Sequence, residues 1–217
     1  MGINTVLFGV AVCAAVAYLP LSSRTSSTRK TLIKTIPLPL FALIAILAHA
    51  PWLLVIGLGL SAFGDFALSR EGESAFMAGL MGFGAAHLAY IALFLPLGGG
   101  LDLAFELAPL PAIALLVMAI STEFWLAPHT GALRWAVRCY VVLITVMGLA
   151  AFALPAQYHL ATVGAGLFVL SDLILSVQLF RLAPTSAVKR PAGWLLWVLY
   201  VAGQAFILAA FVPLSLP

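Results

Sequence analysis

The sequence predicts an all-α membrane protein, a bundle of eight transmembrane helices forming one polytopic domain over residues 1–217. Three observations predict it. The chain is 64% hydrophobic and 8% charged, against about 25% charged residues in a soluble domain. The apolar residues come in runs of the length a bilayer core demands, roughly 20 residues per spanning helix. All ten Lys and Arg side chains fall in alternate connections between those runs. No soluble core of this size can hide so much apolar surface, and little chain is left for a second, soluble domain.

The runs are 3–20, 32–49, 51–69, 75–96, 109–127, 132–154, 158–180 and 191–213. The first has the small residues "AVAYLP" near its end, as a signal peptide would. It has no basic n-region, since no Lys or Arg precedes Arg24, and a retained helix is expected. The second and third runs meet at "HAPW", the tightest of the turns, where one bent hairpin is the alternative to two helices. Arg70, Glu71 and Glu73 make a solvated turn before the fourth run. "GGGLDLAFE" leads to the fifth, and Arg134 and Arg138 open the sixth. Pro20, Pro51, Pro96, Pro109, Pro128, Pro155, Pro184 and Pro191 all fall at ends of runs, where a missing N–H costs least.

Charge sets the expected orientation. Arg24, Arg29, Lys30 and Lys34 lie in the first connection, Arg70 in the third, Arg134 and Arg138 at the fifth, and Arg181, Lys189 and Arg190 in the seventh. The positive-inside bias then places odd connections in the cytoplasm and both termini outside, as in a bacterial inner (plasma) membrane. The net charge of +3 is thus a topology signal, and no nucleic-acid partner is implied. Cys13 and Cys139 sit within apolar runs as small packing residues, with no CxxC motif.

Two stretches repeat a pattern. "GLGLSAFGDFALS" at 57–69 and "GAGLFVLSDLILS" at 164–176 place Asp65 and Asp172 at matching positions, 107 residues apart. An offset of nearly half the chain, on two helices running the same way, suggests a 4+4 parallel pseudo-repeat about an axis along the membrane normal. An acid at a helix centre costs about 2.5–3.5 kcal/mol on insertion scales, so an intramembrane Asp is a functional candidate by default. Asp65 lies five residues from Arg70 and Asp172 nine from Arg181; pairing to Arg70 at the helix end is the plainer reading of Asp65.

Other polar residues share that depth. Ser61 is one turn from Asp65, and Ser171 and Ser176 flank Asp172. His87 and Tyr90 share a face of the fourth run at spacing i, i+3. Tyr140 lies one third into the sixth run, and Tyr200 and Gln204 lie midway along the eighth. Lys34 and Arg138 stand where the second and sixth runs begin. Each has an ordinary role as a core hydrogen-bonder or a snorkelling cation. Together they predict one polar pocket in the cytoplasmic half of the bundle. Glu123 is expected to pair with Arg134 or to join that pocket.

At these residues the sequence resembles the lysoplasmalogenase (YhhN-like) family of small integral membrane proteins. The matching pieces are "KTIPLPL", "GLGLSAFGDFAL", "FMAGLMGFGAAHLAYI", Tyr140 with Met147, "GAGLFVLSDLIL" and "YVAGQAFI", spread over nearly the whole chain. The resemblance implies eight helices and hydrolysis of the vinyl-ether bond of a lysoplasmalogen, releasing fatty aldehyde and a glycerophospho-headgroup. The family's proposed catalytic aspartates fall on Asp65 and Asp172. The implied partners are a lysophospholipid substrate and bilayer lipid, with no cofactor and no metal.

The chemistry suits acids in a dry site. A vinyl ether is stable to base and cleaved by acid: protonation of the β-carbon makes an oxocarbenium ion, water adds, and the hemiacetal collapses. Two carboxyl groups can divide this work, one protonated as donor and one ionised as stabiliser, as in glycosidases. The expected roles are Asp172 as proton donor, Asp65 as base and stabiliser, and His87 as a water-orienting or relay group. Ser61, Tyr90, Tyr140, Ser171, Tyr200 and Gln204 would line the pocket, and Lys34 and Arg138 would hold the phosphate. Paired intramembrane acids also occur in small-solute or proton-coupled transporters, the alternative class. A zinc hydrolase would need clustered histidines; His49, His87, His129 and His159 are placed too far apart along the bundle to converge readily.

Overall fold

The computed structural model describes residues 2–22 and 27–213. Arg24, counted above with the first basic connection, lies outside the described residues. The long helices follow the apolar runs closely: α1 (Ile3–Tyr18), α4 (Trp52–Leu68), α5 (Glu73–Gly98), α7 (Pro109–Trp125), α8 (Arg134–Phe152), α9 (His159–Phe180) and α10 (Lys189–Phe211). Between α1 and α4 the second run is two helices, α2 (Thr28–Thr35) and α3 (Pro37–Leu47). Among the described residues there are no strands. Seven segments are long and apolar enough to cross a membrane, and Trp52–Leu68 is a further apolar helix of 17 residues.

Four local features depart from expectation. The second run starts at Thr28 rather than 32, because Ser27 caps it by accepting the Lys30 backbone N–H at 3.2 Å. It is then interrupted at Ile36, where Pro37 has no N–H to continue the ladder. Helix α5 runs through Pro96 to Gly98 instead of ending there, with Gly99 closing it in a left-handed conformation (φ 82°). The "GGGLDLAFE" connection carries a short helix, α6 (Leu103–Leu107).

The turn at "HAPW" does separate two helices. His49 adopts φ 54° and the Ala50 N–H returns to the Ala45 carbonyl at 2.9 Å. This is a left-handed helix cap that satisfies the last carbonyls of α3. Pro51 then starts α4 without needing a donor.

The bundle is pinned where small residues let backbones touch. A Cβ on Gly164 would lie 2.5 Å from the Gly203 carbonyl, and one on Gly203 2.7 Å from that of Gly164. The α9/α10 pair is therefore packed backbone against backbone. Helices α4 and α5 approach through Gly64 and Gly82 in the same manner. In a bilayer, where apolar burial gives helices no preference for one another, such close contact is a main source of association. Trp197 fastens α10 to α1 by donating to the Ala15 carbonyl at 2.9 Å. Helix α5 packs on α8, α3 on α10, and α7 and α9 each on α8.

Candidate active site

The two aspartates sit in different surroundings. The side chain of Asp65, on α4, is 2% exposed and pairs with Lys34 of α2 at 3.3 Å. Its other oxygen accepts from the Tyr200 hydroxyl of α10 at 2.7 Å. Lys34 also reaches the Asp65 backbone carbonyl at 3.4 Å. Nearby, Ser69 donates to Thr31 at 3.0 Å, tying the end of α4 to α2. Asp65 is thus a sealed ion pair, and its partner is Lys34 rather than Arg70. Arg70 instead lies over the Phe66 ring.

Asp172, on α9, is met by a tyrosine and a histidine. Its Oδ2 accepts from the Tyr140 hydroxyl of α8 at 2.6 Å and lies 3.3 Å from His87 Nε2 of α5. His87 Nε2 is also 3.1 Å from the Tyr140 oxygen. The His87 ring is fully buried, and its Nδ1 has no hydrogen-bond partner among the described residues. With its proton on Nε2 the ring donates toward Asp172 and Tyr140.

Between the two acids stands an aromatic wall. Phe83, Phe168 and Tyr200 pack against one another with ring centroids 5.5–6.2 Å apart. Phe168 also lies against His87, at 4.7 Å between centroids. Phe83 and Phe168 each precede a polar residue, His87 and Asp172, by four positions, so each shares its face of the helix.

A narrow cavity of about 70 Å³ opens on the Asp172 side of this wall. Its lining is almost wholly aliphatic and aromatic, from α5, α7, α8 and α9 with Leu68 at the end of α4; Leu80, Met118, Val141 and Leu175 are representative. Asp172, Tyr140, Thr122 and Ser176 supply the polar groups. The Asp172 side chain is 12% exposed. Asp65 is not in the lining.

The single polar pocket expected from the sequence is therefore three separate clusters. Tyr90, Gln204 and Ser61 form a buried link across α5, α10 and α4: Tyr90 donates to Gln204 at 2.6 Å, and Gln204 donates to Ser61 at 3.1 Å. They satisfy one another and do not line the cavity. Ser171 and Ser176 donate back to their own helix, to Phe168 and Leu173. Tyr200 serves Asp65 through its hydroxyl. Arg138 forks onto Glu123 at the bundle rim, with its Nε 3.0 Å from Oε1, and is not in the cavity lining. Its register explains this, since Val137, Tyr140 and Val141 occupy the cavity face of α8. Glu123 accordingly pairs with Arg138. Among the described residues no three His, Cys, Asp or Glu side chains gather as a metal site would require.

Sequence reading missed Phe83 and Phe168, which looked like ordinary core, though their spacing to His87 and Asp172 was the available signal. It also passed over Arg181, whose guanidinium meets the Trp125 carbonyl at 3.2 Å and the His129 ring.

Fold and site together define a helical membrane protein with a lone, hydrogen-bonded carboxyl group set in an apolar cavity. The chain belongs to the YhhN family, whose model matches residues 29–211. No curated protein and no solved structure matches it.

Proposed function

We propose that the protein is a membrane-embedded hydrolase that cleaves the vinyl-ether bond of a lysoplasmalogen or a related lysolipid. The observation that carries this reading is Asp172, held by Tyr140 and His87 in the wall of a cavity otherwise fit for hydrocarbon. A transported polar solute would find few partners there. An amphiphile whose reactive bond sits at the head of an apolar chain suits both parts of the lining.

Asp172 is the proton donor in this scheme. Tyr140 and His87 both address Oδ2, leaving Oδ1 to carry the proton. That proton goes to the β-carbon of the vinyl ether, and the C=C electrons form the new C–H bond. The oxocarbenium ion left behind is stabilised by the carboxylate just made. Water adds to the α-carbon, its proton returns to Asp172, and the hemiacetal breaks into aldehyde and free glycerol hydroxyl. Tyr140 and His87 hold the carboxyl rotamer. A preorganised group of this kind, kept from bulk water, is more effective than the same group in solution.

Asp65 has a different role here from the one the motif suggests. Its charge is answered by Lys34, and it is walled off by Phe83, Phe168 and Tyr200. We assign it to positioning: it fixes Tyr200, whose ring forms part of the wall behind His87 and Asp172.

The bonding pattern also supports eight crossings and a 4+4 pseudo-repeat. Counting α2 with α3 as one crossing, Asp65 takes one partner from the second crossing of its own half and one from the last crossing of the other. Asp172, by way of Tyr140 on α8 and His87 on α5, does the same. The basic connections then face the cytoplasm of a bacterial inner membrane, with both termini outside.

The test is aldehyde release by purified protein in detergent, from a lysoplasmenyl lipid and its ester-linked analogue. Aldehyde should come from the vinyl ether alone and vanish in Asp172→Asn. Folded wild type that releases none would refute the reading and favour a transported solute.

A further inference from the structure

We infer that the lipid substrate lies along α9, its phosphate on Arg181, its reactive bond at Asp172 and its aliphatic chain in a slot between α7 and α9 that opens to the bilayer. The placing of the reactive bond rests on the hydrolase reading above; the rest of the pose does not.

The slot is the union of two cavities. The second, of about 460 Å³, continues from the first toward the other end of the bundle, past Ala114, Gly166 and Val163. Met118, Val169 and Leu173 belong to the walls of both. The combined lining follows α9 from Phe180 back to Val163, about 25 Å at the helical rise. Helices α7 and α9 each pack on α8, and the slot fills the space between them. A Cβ added at Gly166 would meet nothing within 4 Å, so the groove is open along this stretch. Its wall past Leu173 carries no polar side chain, which matches an aliphatic chain and nothing else in a phospholipid.

The head is placed by position, once the two cations expected to hold the phosphate are accounted for. Lys34 is committed to Asp65 and Arg138 to Glu123. Arg181 directly follows Phe180, a cavity residue, and the structure gives it no carboxylate partner among the described residues. Its contacts are the Trp125 carbonyl and the His129 ring, next to Leu126 in the cavity wall. A guanidinium offers paired donors suited to phosphate oxygens. Along α9, Arg181 stands about 13 Å from Asp172, a gap that the extended Arg side chain and a glycerophosphate span together.

The experiment compares folded wild type, Arg181→Gln, Gly166→Leu and, as a second slot-filling variant, Ala114→Leu. It reads displacement of a fluorescent lysophospholipid, with aldehyde release alongside. The competitors are long- and short-chain alkenyl lysophospholipids, a headgroup-free alkenyl glycerol, and inorganic phosphate. Arg181→Gln should weaken the lysophospholipids by about tenfold or more, the loss expected for one hydrogen bond to a charged group, and spare the headgroup-free lipid. The slot-filling variants should weaken long chains and spare short ones. Equal losses across all competitors, or none, overturn the pose while wild-type aldehyde release leaves the hydrolase standing. Inorganic phosphate competing as well as the lysolipid would assign Arg181 to free phosphate and also overturn it. Binding with the expected pattern but no aldehyde sinks the hydrolase and keeps the pose.

Discussion

Asp65 and Asp172 occupy matching positions in the same motif, yet one is sealed and the other open. Asp65 faces a lysine and a tyrosine and lines neither of the two cavities described; Asp172 faces a tyrosine and a histidine and lines the first of them. The difference is made by the helices packed alongside. Residues from α2 and α10 bring a full positive charge and close over the first acid. Residues from α8 and α5 bring a phenol and an imidazole and leave the second beside a cavity. A charge answered by an opposite charge in a dry interior becomes a fixture of the fold.

The sharpest way to break this comparison is Asp172→Asn, which keeps shape and hydrogen-bonding capacity but holds no transferable proton. Vinyl-ether cleavage should fall by about 10²- to 10⁴-fold, the usual contribution of a general acid, with an unchanged melting curve. Equal loss of stability would move Asp172 into the same class as Asp65.

Asp65→Asn should do the reverse. It leaves the Lys34 ammonium largely buried without a counter-charge, and breaking a buried pair costs about 3–5 kcal/mol. Thermal denaturation should show the loss, and adding Lys34→Met should recover most of it by removing the stranded charge. If the double variant is stable but inactive, Asp65 takes part in the chemistry and the assignment to positioning is wrong.

A smaller effect is expected at Tyr140. Replacing it with Phe keeps the ring against His87 and deletes the hydroxyl that donates to Asp172 at 2.6 Å. A hydrogen bond to a charged group is worth about 1.5–3 kcal/mol, and the loss should fall on kcat rather than KM. A change confined to KM would make Tyr140 a substrate ligand instead.

Much of this was legible in the sequence. Apolar runs and prolines located the helices to within a few residues, because the bilayer's thickness leaves little latitude. The Ile36 break was readable in "KTIPLPL", where a proline interrupts the run. Asp65, Asp172 and His87 stood out because acids and a buried imidazole are costly among hydrocarbon. What the sequence did not yield was which polar residue meets which. Lys34, Tyr200 and Gln204 have the right depth for a common pocket, but depth is one coordinate, and rotation about each helix axis decides the rest. That rotation is set by small-residue contacts such as Gly164 on Gly203, between helices 39 residues apart in the chain at that point. The aromatic wall stayed hidden for a related reason. Phe83 and Phe168 differ from other core rings only in their neighbours.

Arg138 gives the smallest expected effect and sharpens the comparison from outside it. Its depth at the start of α8 matches that of Lys34 at the start of the second crossing, and on charge alone it is an equal candidate for a lipid phosphate. The structure spends that charge elsewhere: the guanidinium grips Glu123 with two nitrogens and lies over the Trp135 ring, at the rim. An exposed pair of this kind contributes little, and its net charge offers a phosphate nothing. Exchanging both partners for Gln should therefore leave melting temperature, kcat and KM unchanged in a detergent assay. A clear rise in KM, with Arg181→Gln silent, would move the headgroup to the α7/α8 rim. The substrate would then reach Asp172 past Val137 and Val141 rather than along α9.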